Sequence, residues 1–363
     1  MLSGYAWYAA SALATSLHPR IRRAEEIRRI LVVKTDHLGD FLLCLPAVRD
    51  FVAGFPQAEV GFAVGQGTAA MAERIPWIRE THVFDSRRYA RGAQSPAGTL
   101  RGILARDWDL VLDLTNDPAS ATAAFRRPSR HRLDLGTHRL REKARAVLGR
   151  GRGLKQEHVT RVFYRALGMQ PPEAIVPEPL VLQEREKNDA ARLLARGWPG
   201  DGPVAAVHAG ASWEFRRWPA ARFADVCREL ERRGFAAVLV GGPDDRPVSR
   251  AVAERAGLRP ERNLAGETDL PTAAAVLERC ALLVANDGGL MHLAAAQGTP
   301  VVGIFGPQTP ETFGPLGERS RALWKQRDCS PCEQRHCIWN RSRCLEPIET
   351  GDVLAAAEQV ARR

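Results

Sequence analysis

Residues 281–305 read as strand, glycine turn, helix and second strand, and this stretch does most to limit what the chain can fold into. An apolar run at 281–285 is broken by Asp287-Gly288-Gly289. Residues 290–297 have helical character, Gly298-Thr299-Pro300 ends them, and extended structure resumes at 301–305. Two glycines at a helix start let a ligand approach the backbone closely. The N–H groups of the first turn, here around Gly288, Gly289, Leu290, Met291 and His292, then point at that ligand, and the helix dipole favours negative charge there. A diphosphate fits this description. Asp287, just before the turn, is suited to accept hydrogen bonds from sugar or ribose hydroxyls.

The same rhythm runs through the rest of the chain. In the first half, Arg29-Ile-Leu-Val-Val-Lys34 reads as a buried strand, 35–40 as a loop, and 41–55 as a helix with Pro46 near its start. Further extended runs fall at 60–64, 81–84, 110–114 and 132–135. In the second half, strands at 204–208 and 236–240 end in Gly210-Ala211-Ser212 and Gly241-Gly242-Pro243-Asp244-Asp245, with helices at 220–234 and 271–279. Strands that end in glycine loops put ligand contacts at their carboxyl ends, where open α/β sheets bind ligands. Pro171, Pro172, Pro177 and Pro179 mark a linker, and a helix at 183–196 follows it. A chain of 363 residues has room for two α/β domains. They are expected at 1–178 and 179–347, with a closing helix at 348–363 that packs back across the first domain.

The formal charge of +10 points to an anionic partner: nucleic acid, an acidic membrane surface or an acidic glycolipid. Residues 126–155 hold eleven Lys or Arg against Asp134 and Glu142. No recognition helix with a basic face and no basic strand set interleaved with aromatics supports nucleic acid. No run of eighteen apolar residues exists to span a bilayer. Residues 2–17 are mildly apolar, with Trp7 and Tyr8, but the arginines follow rather than precede them, the reverse of an export signal. A loosely packed helix and a helix resting on the inner membrane face both fit. The expected location is cytoplasmic, with or without peripheral membrane contact.

Cys44, Cys227 and Cys280 sit singly among apolar neighbours and read as small core residues. Cys329, Cys332, Cys337 and Cys344 follow a C-x2-C-x4-C-x6-C spacing. Bound zinc or iron, free thiols and disulfides all remain open for them. Four thiolates on one metal leave no open coordination position, so such a site is structural.

Three blocks carry a family resemblance: Ile30-Leu-Val-Val-Lys-Thr-Asp-His-Leu-Gly-Asp-Phe-Leu-Leu-Cys-Leu-Pro-Ala47; His208-Ala-Gly-Ala-Ser-Trp-Glu-Phe-Arg-Arg-Trp-Pro219; and Asn286-Asp-Gly-Gly-Leu-Met-His-Leu-Ala-Ala-Ala296 with Phe305-Gly306-Pro307. In this order they resemble glycosyltransferase family 9, the lipopolysaccharide heptosyltransferases, and the cysteine-rich tail resembles one seen in many members. The resemblance implies a GT-B fold: two facing Rossmann-like domains with parallel sheets and a cleft between them, acceptor on the first, sugar nucleotide on the second. It also implies inverting, metal-independent transfer with no catalytic cofactor. ADP-heptose is the implied donor and an anionic glycolipid of the lipopolysaccharide core the implied acceptor.

The resemblance puts the catalytic base at Asp40, and a carboxylate at a helix start on the ligand side of a strand can take a proton from an acceptor hydroxyl. Capping of the following helix is the competing reading. Gly39 suits a close approach or a positive φ. The basic residue that the family places before the Trp-Pro pair is Arg216, an arginine where many members have lysine, and it is suited to clamp a diphosphate. Arg217 is the alternative, and a solvated surface pair is the bland one. Ser212 is placed to donate to a phosphate oxygen, and Asp244 or Asp245 to meet ribose hydroxyls unless they only make a turn. His292 has ordinary helix packing as its competing role. Arg126, Arg127, Arg130 and Arg132 read as acceptor contacts, as a hold on an acidic leaflet, or as a solvated basic loop. A non-hydrolysing epimerase and a non-catalytic nucleotide-binding module are the rival functions.

Overall fold

The run Arg29–Lys34 is buried along all but its first residue, as expected for a central strand covered on both faces. In the computed structural model it is β1 of a parallel sheet that also contains β2 (Glu59–Gly65), β3 (Glu80–Phe84), β4 (Leu110–Asp113) and β5 (His131–Asp134), in the order β3-β2-β1-β4-β5. The structure describes residues 24–84, 102–115, 131–134, 157–198, 200–332, 337 and 343–361, with the backbone alone for 24, 84 and 131–134. The chain divides into two units, Met1–Ile175 and Val176–Arg363.

In the first unit the chain leaves β1 through a three-residue turn and enters α1 (Leu38–Val52). This helix begins three residues earlier than the sequence suggests, so Gly39 and Asp40 belong to its first turn, and Pro46 lies inside it rather than near its start. Residues 41–48 are all buried. Burial on nearly every side stabilises the helix enough to offset the hydrogen bond that an interior proline removes. The helix α2 (Val159–Ala166) packs on α1, and Tyr164 Oη donates to the Asp50 carboxylate and lies 3.3 Å from the Pro46 carbonyl. Under β1 and β2, Gly61 leaves the space that Trp108 fills, since a Cβ there would stand 2.7 Å from the indole.

The second unit repeats the plan. Helix α3 (Glu184–Gly197) precedes β6 (Val204–His208); α4 (Ala220–Arg232) leads to β7 (Ala236–Leu239). Two helices, α5 (Arg246–Ala256) and α6 (Leu270–Glu278), come before β8 (Leu282–Asn286), and α7 (Gly289–Ala296) before β9 (Val301–Phe305) and β10 (Ser320–Trp324). All five strands are parallel, in the order β10-β9-β8-β6-β7. A single parallel bridge from Leu239 to Asn263 adds a rudimentary strand beyond β7, which completes the six-position doubly wound order with its switch point between β6 and β8. Gly303 of β9 lets α7 seat closely, because a Cβ there would stand 2.6 Å from Met291 Sδ.

The last helix, α8 (Thr350–Ala361), puts its apolar face, Val353, Ala356, Ala357 and Val360, into the core of the second unit with Phe223, Val284 and Val302. Cys44, Cys227 and Cys280 are core residues, and burial pushes each thiol up to about 12. No helix among the described residues is long and apolar enough to cross a membrane. Residues 2–17 lie outside the described residues.

Candidate active site

In the second unit the switch point is closed by one side chain. Asn286, the last residue of β8, is fully buried. Its Nδ2 donates to the carbonyls of Ala209 (2.9 Å) and Gly210 (3.1 Å), and its Oδ1 accepts from the Trp218 N–H (3.0 Å). The loop between β6 and α4 is thereby held at both ends. Trp218 is buried and donates its indole N–H to the Ile348 carbonyl at 3.0 Å. Arg217 straddles the Ala211 carbonyl with Nε (3.1 Å) and Nη2 (2.9 Å), so its guanidinium ties down its own loop.

Arg216 ends a 3₁₀ turn, Glu214–Arg216, inside this loop. Its Nη1 lies 3.5 Å from Oδ2 of the buried Asp287. Its Nε is buried and meets no acceptor among the described residues. A guanidinium with an unmet buried donor, next to the residue that opens Gly288-Gly289, is a place for an anion. Gly288 is the N-cap of α7, extended and without a side chain to cap it. The first-turn N–H groups of an α-helix lack the usual i−4 carbonyl; here the Met291 N–H donates to the Gly288 carbonyl at 3.2 Å, and those of Gly289 and Leu290 follow a bare glycine backbone. Leu290, Met291 and His292 are buried, so the side chains of Leu290 and Met291 serve the core, while the backbone N–H groups of Gly289 and Leu290 are suited to a ligand. Ser212 and Asp244 are exposed on the two neighbouring loops.

Asp245, rather than Asp244, turns inward. Its carboxylate accepts from the Gly242 N–H at 2.9 Å and lies 3.2 Å from Nε2 of the buried His208. Gly210 and Gly241 make room for it: a Cβ on Gly210 would stand 1.9 Å from Asp245 Oδ1. Burial, the largest single effect, pushes the Asp245 carboxyl up, but the His208 hydrogen bond and charge, the Gly242 N–H and the Arg217 charge together outweigh it and hold the group below its ordinary 3.8. Sequence reasoning missed both His208 and Asn286. Each is a polar residue that ends an apolar strand, and that was the available signal.

In the first unit, Asp40 is the third residue of α1 and half-buried. The N-cap is His37, whose side chain makes no cap hydrogen bond. Asp40 therefore does not occupy the capping position, though a carboxylate in the first turn is favoured by the helix dipole. Gly39 is helical and is not among the positive-φ glycines. Arg126, Arg127 and Arg130 lie outside the described residues, and Arg132 is placed only by its backbone in β5.

The four clustered cysteines do not assemble a metal site among the described residues, where no group of three or more His, Cys, Asp or Glu is arranged to hold an ion. Cys329 is exposed and the other three are half-buried. Burial first, and then the nearby thiols of Cys329, Cys332 and Cys337, push Cys344 up to about 11. Its sulfur packs toward Gly306, where a Cβ would stand 3.0 Å from it.

Two doubly wound parallel sheets in one chain, the second with a phosphate-type turn at its switch point, define a GT-B protein built of two Rossmann-like domains. Solved structures share this fold: glycosyl transferase family 9 from Veillonella parvula, with a TM-score of 0.73 at 22% identity over 92% of this chain and 97% of that one; and E. coli ADP-heptose lps heptosyltransferase II, with a TM-score of 0.70 at 22% identity over 92% and 98%. Lipopolysaccharide heptosyltransferase 2 of Salmonella typhimurium is 26% identical over 307 residues, 81% of this chain and 87% of the relative. The profile of glycosyltransferase family 9 (heptosyltransferase) matches residues 99–342. The chain belongs to that family and is a glycosyltransferase.

Proposed function

We propose that the chain transfers heptose from ADP-heptose, with inversion and without a metal ion in the chemistry, to an anionic glycolipid of the lipopolysaccharide core. The observation that carries this reading is Arg216, paired with Asp287 at the start of the Gly288-Gly289 turn, with a buried Nε that meets no acceptor among the described residues. A diphosphate supplies the acceptor. Arg216 and the first-turn N–H groups of α7 then hold the charge that grows on the leaving group. Asp287 and Asp244 meet the hydroxyls of the sugar and ribose, and Ser212 a phosphate oxygen.

Asp40, carried by the first unit, takes the proton of the acceptor hydroxyl. The oxygen forms the new bond to the anomeric carbon as the carbon–oxygen bond to the diphosphate breaks, and that electron pair leaves with the nucleoside diphosphate. Gly39 leaves room for the acceptor beside Asp40. Arg126, Arg127, Arg130 and Arg132 bind its carboxylates and phosphates and hold the protein at the cytoplasmic face of the inner membrane. The names of the relatives support the donor and acceptor class, and the +10 charge supports the acidic partner. The Cys329, Cys332, Cys337 and Cys344 segment acts in structure and not in transfer.

The test is twofold. A thermal-shift panel of ADP-, GDP-, UDP- and CDP-linked sugars should single out the ADP series. Asp40→Asn should lower kcat by about 10²- to 10⁴-fold while the affinity for ADP-heptose stays within several-fold. Near-normal turnover in that variant removes Asp40 as the base, and conversion of the donor without an acceptor favours an epimerase.

A further inference from the structure

Lys34 is the last residue of β1, and its side chain is 1% exposed. It stands where the first sheet reverses direction, between β1 and β4, the equivalent of the place that Asn286 closes in the second sheet. Its Nζ donates to the Leu114 carbonyl, just past β4, at 3.0 Å and to the Asp36 carboxylate. The Phe163 ring of α2 lies 5.1 Å from the ammonium. One buried cation therefore joins the end of β4 and a face of α2 to the turn 35–37 that begins α1.

Stability alone is a weak reason for such an arrangement. A buried ion pair is commonly no more stabilising than well-packed apolar side chains of similar volume, and it is best explained where it fixes one geometry against others. Here the geometry fixed is that of the turn between β1 and Asp40. Lys34 pulls Asp36 back toward β4, and Asp36 lies four residues before Asp40. The charges of Lys34, Asp36 and Asp40 all act on the Cys44 thiol one helical turn further on, behind the larger effect of burial, so the three lie in one neighbourhood.

We propose that Lys34 is a positioning residue for the transfer reaction, holding the Asp36 turn so that Asp40 is presented to the acceptor hydroxyl. The proposal rests on the reading of Asp40 as the base. Lys34 itself touches no reacting atom. A base displaced by about 1 Å loses on the order of 10²-fold in rate without a change in donor binding, because the leaving-group site belongs to the other unit.

The experiment compares the full-length protein with Lys34→Arg, Asp36→Asn and the double variant Lys34→Met with Asp36→Asn. Readouts are kcat with ADP-heptose and a lipopolysaccharide-core acceptor, the Kd for ADP by calorimetry, and Tm. In the double variant kcat should fall about 30- to 100-fold, with the ADP Kd within about 3-fold and Tm close to that of the parent. Lys34→Arg, which keeps the charge and the donors, should recover most of the rate. Asp36→Asn keeps the bond to Leu114 and should lose about 10-fold in kcat, which keeps the proposal testable if the double variant does not fold. A folded double variant, or an Asp36→Asn variant, that transfers at the parental rate overturns the proposal. So does a loss of ADP affinity in step with kcat. Asp40→Asn measured alongside separates the two levels: a parental rate there defeats the base assignment itself, whatever the Lys34 variants do.

Discussion

Asn286→Ala tests how the second unit builds its ligand site. The substitution removes three hydrogen bonds from a fully buried amide. It leaves the Trp218 N–H without that acceptor and the carbonyls of Ala209 and Gly210 without that donor, all three in buried residues. An abandoned buried polar group costs about 1–3 kcal/mol, and carbonyls, with a second lone pair, sit at the low end. The sum is about 3–5 kcal/mol, a large part of the total stability of an ordinary domain, which is about 5–15 kcal/mol. Urea unfolding followed by far-UV circular dichroism should show the transition of the second unit moving to lower denaturant by that amount, and ADP binding should weaken as the loop from Ala209 to Trp218 loosens. Asn286→Asp sharpens the test. It keeps an acceptor for the Trp218 N–H but turns an oxygen toward two carbonyls, which favours the protonated carboxyl and raises its folded pKa above the unfolded value. Its defect should therefore be larger at pH 7 than at pH 5. A cost below about 1 kcal/mol for Asn286→Ala, or a defect of Asn286→Asp that ignores pH, refutes the assignment of this amide as the lock of the loop.

Arg216→Ala should weaken ADP-heptose binding by about 10- to 100-fold, the worth of one or two charge-assisted hydrogen bonds, with Arg216→Lys keeping part of it; unchanged titrations remove Arg216 from the site. Gly210→Ala should destabilise the second unit by about 1–3 kcal/mol, because the new Cβ occupies the place of Asp245 Oδ1, and most of that cost should vanish in an Asp245→Ala background; additive costs in the double variant defeat the steric explanation. The Asp245 carboxyl is held below its ordinary 3.8, so its contribution to stability is full above that value and lost as pH falls through the lower folded pKa; the gap in unfolding free energy between the parent and Asp245→Asn should narrow in the acid limb below 3.8, and a gap that widens there contradicts the pairing of this carboxylate.

The sequence made some of this legible and hid the rest for a physical reason. Asp287-Gly288-Gly289 could be read because a strand, a glycine break and a helix start are local events within a few residues. The βαβ alternation could be read for the same reason. The start of α1 was misplaced because Thr35, Asp36 and Asp40 are all good capping residues, and only packing decides that the helix begins at Leu38 behind His37, which is not one. Asp244 and Asp245 could not be told apart because their 3₁₀ turn decides which one faces His208, 37 residues earlier. The bonds of Asn286 reach 68 to 77 residues back, and Lys34 reaches 80 forward. These two residues nevertheless share a pattern. In Ile-Leu-Val-Val-Lys34 and Leu-Leu-Val-Ala-Asn286, four apolar strand residues end in one polar residue that the structure leaves buried. A polar side chain at that position either reaches water or finds backbone groups on the neighbouring strand, and at a switch point the neighbour is a strand distant in sequence. In both units it spans the switch point by donating to the chain just past the carboxyl end of that neighbour, Leu114 after β4 in the first and Ala209 and Gly210 after β6 in the second. The polar end of an apolar strand is thus the local sign of a non-local bond, and it stands immediately before the turn that carries each candidate functional residue, Asp40 in one unit and Asp287 in the other.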